Sequence, residues 1–281
     1  MRAIHLASTC VGLIAAAFSW QAQGALAHTT PSSSRASTAL PVPNLSGVWS
    51  RAWRVQQLFE PPDSGPGPVT GDPASPHVRG GNSPWIADLS SPILRPQTRD
   101  RLRQLADQQK AGHALLDNDT LCLPVGVLGS LNMFDPMQVL QTPTKVFLLY
   151  TRDHQVRVIY LDQPHSQNLS PTWYGESVGH YEGDILVVDT IGMNTKTLVD
   201  RYGTPHSDRL HTIERYRLSA DGTLEVSVTV EDPITFTTTW SAKAAYKRGD
   251  PGGFEEIVCA ENNPPISDQA IGFPAATNPD F

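Results

Sequence analysis

The chain has 281 residues, 39% of them hydrophobic, with 21 Lys and Arg against 28 Asp and Glu and a formal net charge of −7. This acidic balance, with no Lys/Arg block interleaved with aromatics, argues against a nucleic-acid partner. The length allows one large domain or two small ones, and 24 prolines with 21 glycines imply many turns.

The first 27 residues read as a signal peptide. Arg2 supplies the positive start, "VGLIAAAFSW" the apolar run, and "ALA" at Ala25 to Ala27 the cleavage site. Cys10 precedes the apolar run, whereas a lipid-anchor cysteine would follow it. No later segment is apolar enough to span a bilayer. The expected compartment is therefore periplasmic or secreted. Cleavage leaves Cys122 and Cys259, which have one intramolecular pairing, a disulfide. Asn44, Asn118 and Asn168 each begin an Asn-x-Ser/Thr sequon.

Residues 28–44 are a Ser/Thr/Pro-rich leader. Cleavage after Ala27 would expose His28, whose amine and ring could chelate copper, but a flexible leader is a poor support for such a site. A single β-barrel-like domain is expected over 45–281, with an irregular and helical insertion at about 60–125. "NLSGVWS" is its first strand, and the Pro/Gly-rich stretch 60–84 cannot form regular elements. "PQTRDRLRQLADQQKAGH" reads as the one good helix. Pro96 suits its first turn, Leu102, Leu105 and Ala106 form one stripe, and Gly112 is a stop. Its arginines Arg95, Arg99, Arg101 and Arg103 read as a solvated face.

From residue 136 onward, eight strand-like runs follow, from "MQVLQT" to "ITFTTTWSAKAAY", separated by short turns. In "TLEVSVTV", Leu224, Val226, Val228 and Val230 alternate with Glu225, Ser227 and Thr229. Short connections leave no room for helical crossovers. The pattern predicts a mainly β fold, an antiparallel meander closing into a lipocalin-like barrel, with a β-sandwich as the alternative.

Two stretches concentrate polar groups. "LDQPHSQNLSPTWYGESVGHYEGDILVVDT" holds Asp162, His165, Trp173, Tyr174, Glu176, His180, Glu182, Asp184 and Asp189. "GTPHSDRLHTIERYRL" holds His206, Asp208, His211, Glu214 and Arg215. Between them, the loop from Ile191 to Gly203 is long enough to be functional. If the second stretch is extended, His206, Asp208 and Glu214 share one parity, and His211, Arg215 and Arg217 the other. A metal site would therefore need His165 or His180 from another strand, and no cofactor motif is present. Acid/base chemistry could use His206 with Asp208, or His211 with Glu214. The missing G-x-S-x-G elbow and the absence of a parallel-sheet pattern argue against a serine hydrolase. Glu214 shares its parity with Leu210, Thr212, Tyr216 and Leu218, the more apolar face. It is either half of an ion pair across strands or a site residue. Trp173, Tyr174, Tyr181, Tyr216, Phe236 and Trp240 belong to the core or line a cavity.

"PTWYGESVGHYEGDILVVDTIGMN", "PHSDRLHTIERYRL", "TLEVSVTVEDPITFTTTW" and "EIVCAENN" together resemble a family of exported, largely uncharacterised bacterial proteins. That family carries "SxGxxEGDxLVVDT" and "HSExLHxxERF" segments, and the likeness covers roughly residues 120–263. The resemblance implies that Glu182, Gly183, Asp184, Asp189, His206, His211, Glu214 and Arg215 belong to a family pattern. Asp208 departs from it, standing where the family has Glu.

The expected function is that of an exported small-molecule enzyme of the lyase, isomerase or cyclase type. It would use acid/base catalysis in a barrel pocket under the loop from Ile191 to Gly203. His206, Asp208, His211 and Glu214 are the catalytic candidates. His165, Trp173, Tyr174, His180, Arg215 and Tyr216 are the substrate-binding candidates. The alternatives are a non-catalytic carrier of a small apolar ligand, a metal-dependent enzyme and an envelope structural protein.

Overall fold

A computed structural model describes residues 42–52, 59–77, 83–250 and 254–261. The expected signal peptide, with Cys10, and residues 28–41 of the leader, with His28, lie outside the described residues. Among the described residues, nine strands form one closed barrel in chain order. They are β1 (Gly47–Arg51), β2 (Met137–Gln141), β3 (Lys145–Tyr150), β4 (Val156–Leu161), β5 (Glu176–Glu182), β6 (Ile185–Ile191), β7 (His211–Leu218), β8 (Leu224–Glu231) and β9 (Trp240–Arg248). Antiparallel pairing of β1 with β9, Trp49 opposite Arg248, closes the ring. Closure leaves no open edge in the ring for a second chain to extend.

Period-two alternation sets what faces inward. On β8, Leu224, Val226, Val228 and Val230 are buried, and Glu225 and Glu231 are exposed. Val139 on β2, Leu148 on β3, Leu186 and Val188 on β6 and Ala242 on β9 fill the same interior. Burying each Val or Leu contributes roughly 1.5–3 kcal/mol. The interior is thus packed with side chains.

One pair departs from the expected antiparallel meander. β5 runs parallel to β4, over only Ile159↔Ser177, Tyr160↔Val178 and Leu161↔Gly179. Residues 162–175 run back along the barrel before β5 begins, so the strand restarts in the same direction. "PTWYGESVGHY" is accordingly strand only from Glu176, and β9 begins at Trp240 rather than Ile234. Gly175 makes the tight entry into β5. Its φ is +62°, and a Cβ there would lie 2.3 Å from the Ile191 carbonyl oxygen.

The insertion before β2 carries α1 (Pro96–Lys110) and α2 (Gly126–Asn132). α1 buries Thr98, Leu102, Leu105 and Ala106. Not all of its arginines are a solvated face. Arg95 Nε donates to the Phe236 carbonyl at 3.0 Å, and Arg99 donates to the carbonyls of Leu89, Ser91 and Leu94. α2, a second helix beyond the one expected, has six of its seven residues buried, so its sequence shows no amphipathic period. Among the described residues, no helix is long and apolar enough to cross a membrane.

Cys122 and Cys259 form the expected disulfide, with Cα atoms 5.5 Å apart. Beside it, the Cys259 amide donates to Asp153 Oδ1 at 2.9 Å, and the Asp153 amide donates to the Ile257 carbonyl at 2.8 Å. Of the sequons, Asn118 is buried. Its Nδ2 donates to the carbonyls of Pro124 and Lys196, so it is closed to glycosylation in the folded chain.

A polar network crosses the barrel interior. The Arg157 side chain on β4 is 1% exposed and Glu214 on β7 is 0% exposed. Arg157 Nη1 donates to Glu214 Oε1 at 3.1 Å and its Nη2 donates to Oε2, a bidentate pair. Arg157 Nε also donates to Ser177 Oγ on β5 at 3.0 Å, and Nη2 to Thr190 Oγ1 on β6 at 2.8 Å. Tyr216 donates its hydroxyl to Glu214 Oε1 at 2.8 Å. Burial favours deprotonation of Arg157, but the Glu214 carboxylate outweighs it and holds the guanidinium charged. Of the two readings open for Glu214, the ion pair across strands is the one found.

Two stability predictions follow from these contacts. Cys122→Ser/Cys259→Ser opens a loop with a sequence separation of 137 and should cost about 3–5 kcal/mol in urea unfolding; an unchanged midpoint would contradict the bridge. Arg157→Met leaves Glu214 buried and unpaired and should cost about 3–5 kcal/mol, with Arg157→Met/Glu214→Leu recovering much of the loss. A double variant no better than the single would show that the pair does not act as a unit.

Candidate functional site

The outer face of the barrel carries the cluster of interest. Antiparallel register puts Glu176 on β5 opposite Ile191 on β6, and His211 on β7 opposite Glu231 on β8. Val178, Asp189, Ile213 and Thr229 form the next row. The loop after β4 returns over these rows and brings His165 down onto them. His165 Nδ1 lies 3.0 Å from Glu176 Oε1, and its Nε2 lies 3.0 Å from Asp189 Oδ1. His211 Nε2 reaches the same Asp189 Oδ1 at 2.9 Å, and its Nδ1 lies 3.8 Å from Glu231 Oε2. Two imidazoles therefore share one carboxylate oxygen, and each has a second carboxylate on its far side.

An ionised carboxylate only accepts hydrogen bonds. The two contacts of His165 thus need a proton on both ring nitrogens, or a protonated carboxyl on one side. Glu176 also accepts from the Ser166 amide at 2.7 Å and from the Ser166 hydroxyl. Burial opposes ionisation of Glu176, but the bonds from Ser166 and His165 outweigh it and hold the carboxyl below its usual range. The His165 side chain is 21% exposed and that of His211 31%, so both rings are sheltered yet reachable.

A groove of about 520 Å³ adjoins the cluster. It lies where β5 departs from β4. Val156, Val158 and Tyr160 line it from β4, while Leu169, Trp173 and Tyr174 line it from the returning loop. Ser166 and Glu176 also line it, joining it to His165. The volume falls within the range of small-molecule sites. Tyr174 is anchored by stacking on Tyr150, centroids 6.1 Å apart, and by its hydroxyl donating to Gln155 Oε1.

The candidate residues thus separate into several places. His165 and His211 converge, and Trp173 and Tyr174 line the adjoining groove. His206 does not join them. Residues 203–210 are loop and turn, so strand parity does not apply to them. His206 is buried and donates through Nδ1 to the Ser207 carbonyl at 2.9 Å, leaving Nε2 to accept from Thr197 Oγ1 at 2.7 Å. Burial lowers its pKa below the ordinary value of 6.5 and favours the neutral ring. Asp208 is exposed in the turn before β7. Glu214 and Tyr216 face the barrel interior and do not line the groove. His180 contacts Glu182 at 3.2 Å, and Arg215 donates to the same carboxylate, on the exposed surface.

The loop from Ile191 to Gly203 covers a smaller cavity of about 40 Å³, lined among others by Asp117, Asn132, Asp200 and Arg201. That is well below the size an organic substrate needs. The substrate-sized space adjoins residues 166–175 instead. The sequence marks Glu176 and Asp189 as members of the polar stretch, and Asp189 also of the family pattern, but gives neither a role in the site, and it does not mark Glu231. Asp189 also shares the parity of Val187 and Ile191, the outer face of β6. Among the described residues, no group of three or more His, Cys, Asp and Glu side chains is arranged to hold a metal ion.

No protein-family model matches the chain, and no curated protein is found to be similar to it.

Asp200 gives this region a pH signature. Burial pushes its carboxyl up from 3.8 to about 6. The folded chain therefore binds this proton more tightly than the unfolded chain does. The associated stability is fully present below pH 3.8 and is lost as pH rises through about 6. Asp200→Asn should remove that loss, so its stability relative to wild type should grow as pH rises from 4 to above 6. Urea unfolding across that range checks this; a constant difference would refute it.

Proposed function

We propose that the chain is an exported enzyme that moves protons on a small organic substrate, of the lyase, isomerase or cyclase type. One observation carries this reading: His165 and His211 meet on Asp189 Oδ1, beside a groove of substrate size. Imidazoles take up and release protons near neutral pH, and a carboxylate on the far nitrogen orients the ring for that work. In this reading His165 passes protons between Asp189 on its Nε2 and Glu176 on its Nδ1, and Glu176 lines the groove where a substrate would sit. Asp189 holds both rings in place. His211, backed by Glu231, is the second proton carrier. The Cys122–Cys259 bridge suits an oxidising compartment and supports export. The likeness to an exported bacterial family points the same way.

A carrier of a small apolar ligand is the second reading, favoured by Val156, which is 49% exposed beside Leu169 and Trp173. The two differ in what leaves the groove.

The full chain would be incubated with a library of uncharged organic compounds and the products analysed by mass spectrometry. Isomerisation or cyclisation keeps the mass; a lyase changes it by the fragment lost. His165→Asn and His211→Asn should each lower turnover by about 10²–10⁴-fold without changing the unfolding midpoint. Undiminished turnover in both variants would sink the enzyme reading. A ligand recovered chemically intact would favour the carrier.

A further inference from the structure

We infer that the groove takes an uncharged ring compound bearing hydroxyl groups, such as a sugar or a sugar conjugate. The inference rests on reading the groove and the histidine cluster as one site, and three observations lead to it.

The first concerns anions. Among the described residues that line the groove, the cation is Arg157, whose side chain is 1% exposed and paired with Glu214. An anionic ligand therefore finds no free cation in the lining. It would also approach Glu176, with Asp189 and Glu231 in the cluster beyond, and be repelled by them.

The second concerns cations. Carboxylates beside aromatic rings would ordinarily attract one. Here two of the three rings in the lining already hold a cation, and the third, Tyr174, stacks on Tyr150. Lys196 Nζ sits 5.8 Å from the Trp173 ring centroid, and Lys145 Nζ sits 5.1 Å from that of Tyr160. A cationic ligand would have to displace a lysine or share a ring with it.

The third is the polar part of the lining. Ser166, Asn168, Ser170 and Thr172 all come from the returning loop, all are exposed, and all carry neutral donor–acceptor groups. They face an apolar floor on β4. Hydroxyl and amide groups above an apolar surface match a molecule with an apolar ring face and a hydroxylated rim.

Binding is tested apart from turnover. Isothermal titration calorimetry on the full chain would compare phenyl β-D-glucopyranoside with phenylacetate and phenethylamine. The glucoside should bind at least about tenfold more tightly than either charged probe. Trp173→Ala should weaken the glucoside by about tenfold. Ser170→Lys, an exposed substitution with little risk to folding, should narrow the gap to phenylacetate by supplying the missing cation. Glucoside binding by the unaltered chain, with no turnover of any compound in the library, would sink the enzyme reading and leave the ligand class standing. Equal or tighter binding of either charged probe, or no measurable binding of the glucoside, would overturn the ligand class.

Discussion

The bidentate contact between Arg157 and Glu214 organises much of what surrounds it. It sits inside the barrel where the β4–β5 ladder is three pairs long. Arg157 reaches Ser177 on β5, Thr190 on β6 and Glu214 on β7, so one guanidinium ties its own strand to the next three. Alternation then carries this order outward. Ser177 points in and Glu176 points out; Thr190 points in and Asp189 points out. The two carboxylates that hold His165 are thus immediate chain neighbours of the two hydroxyls that hold Arg157. The stretch of β5 and β6 that builds the outer cluster is fixed from its inner side.

Desolvating a charge pair is costly, and an apolar pair of similar volume would often be at least as stable. What the pair adds is register. Sliding β4 by one residue would turn Arg157 outward and strand Glu214 in an apolar interior. That penalty matters most for β4 and β5, whose short ladder specifies their alignment weakly. The groove opens at this same place, where β4 and β5 pair over only three residues.

Much of the fold was legible in the residues. Strict alternation in "TLEVSVTV" fixed the inner face of β8, and the parity of "HTIERYRL" put Glu214 on the inner face of β7. The parallel pair was not legible, because nothing in the composition of residues 162–175 states the direction in which the next strand starts. Nor was α2, whose burial on every side erases the periodicity by which helices are read. The site was half legible. His165 and His211 stood out as imidazoles near carboxylates, but their meeting on Asp189 depends on a three-strand register and a returning loop. The pairing of His206 with Asp208 failed because parity assumes an extended chain, and Pro205 and the turn at Asp208 interrupt it.

Closure of the ring by β1 and β9 has a consequence for how the chain comes to be folded. Trp49 opposes Arg248, so the first strand finds one of its two partners nearly two hundred residues later in the chain. Until β9 is made, that side of β1 has no strand to pair with. Such long-range closure slows folding and leaves sticky intermediates exposed for longer. A chain of this topology gains from being held back from folding until β9 is available to close the ring.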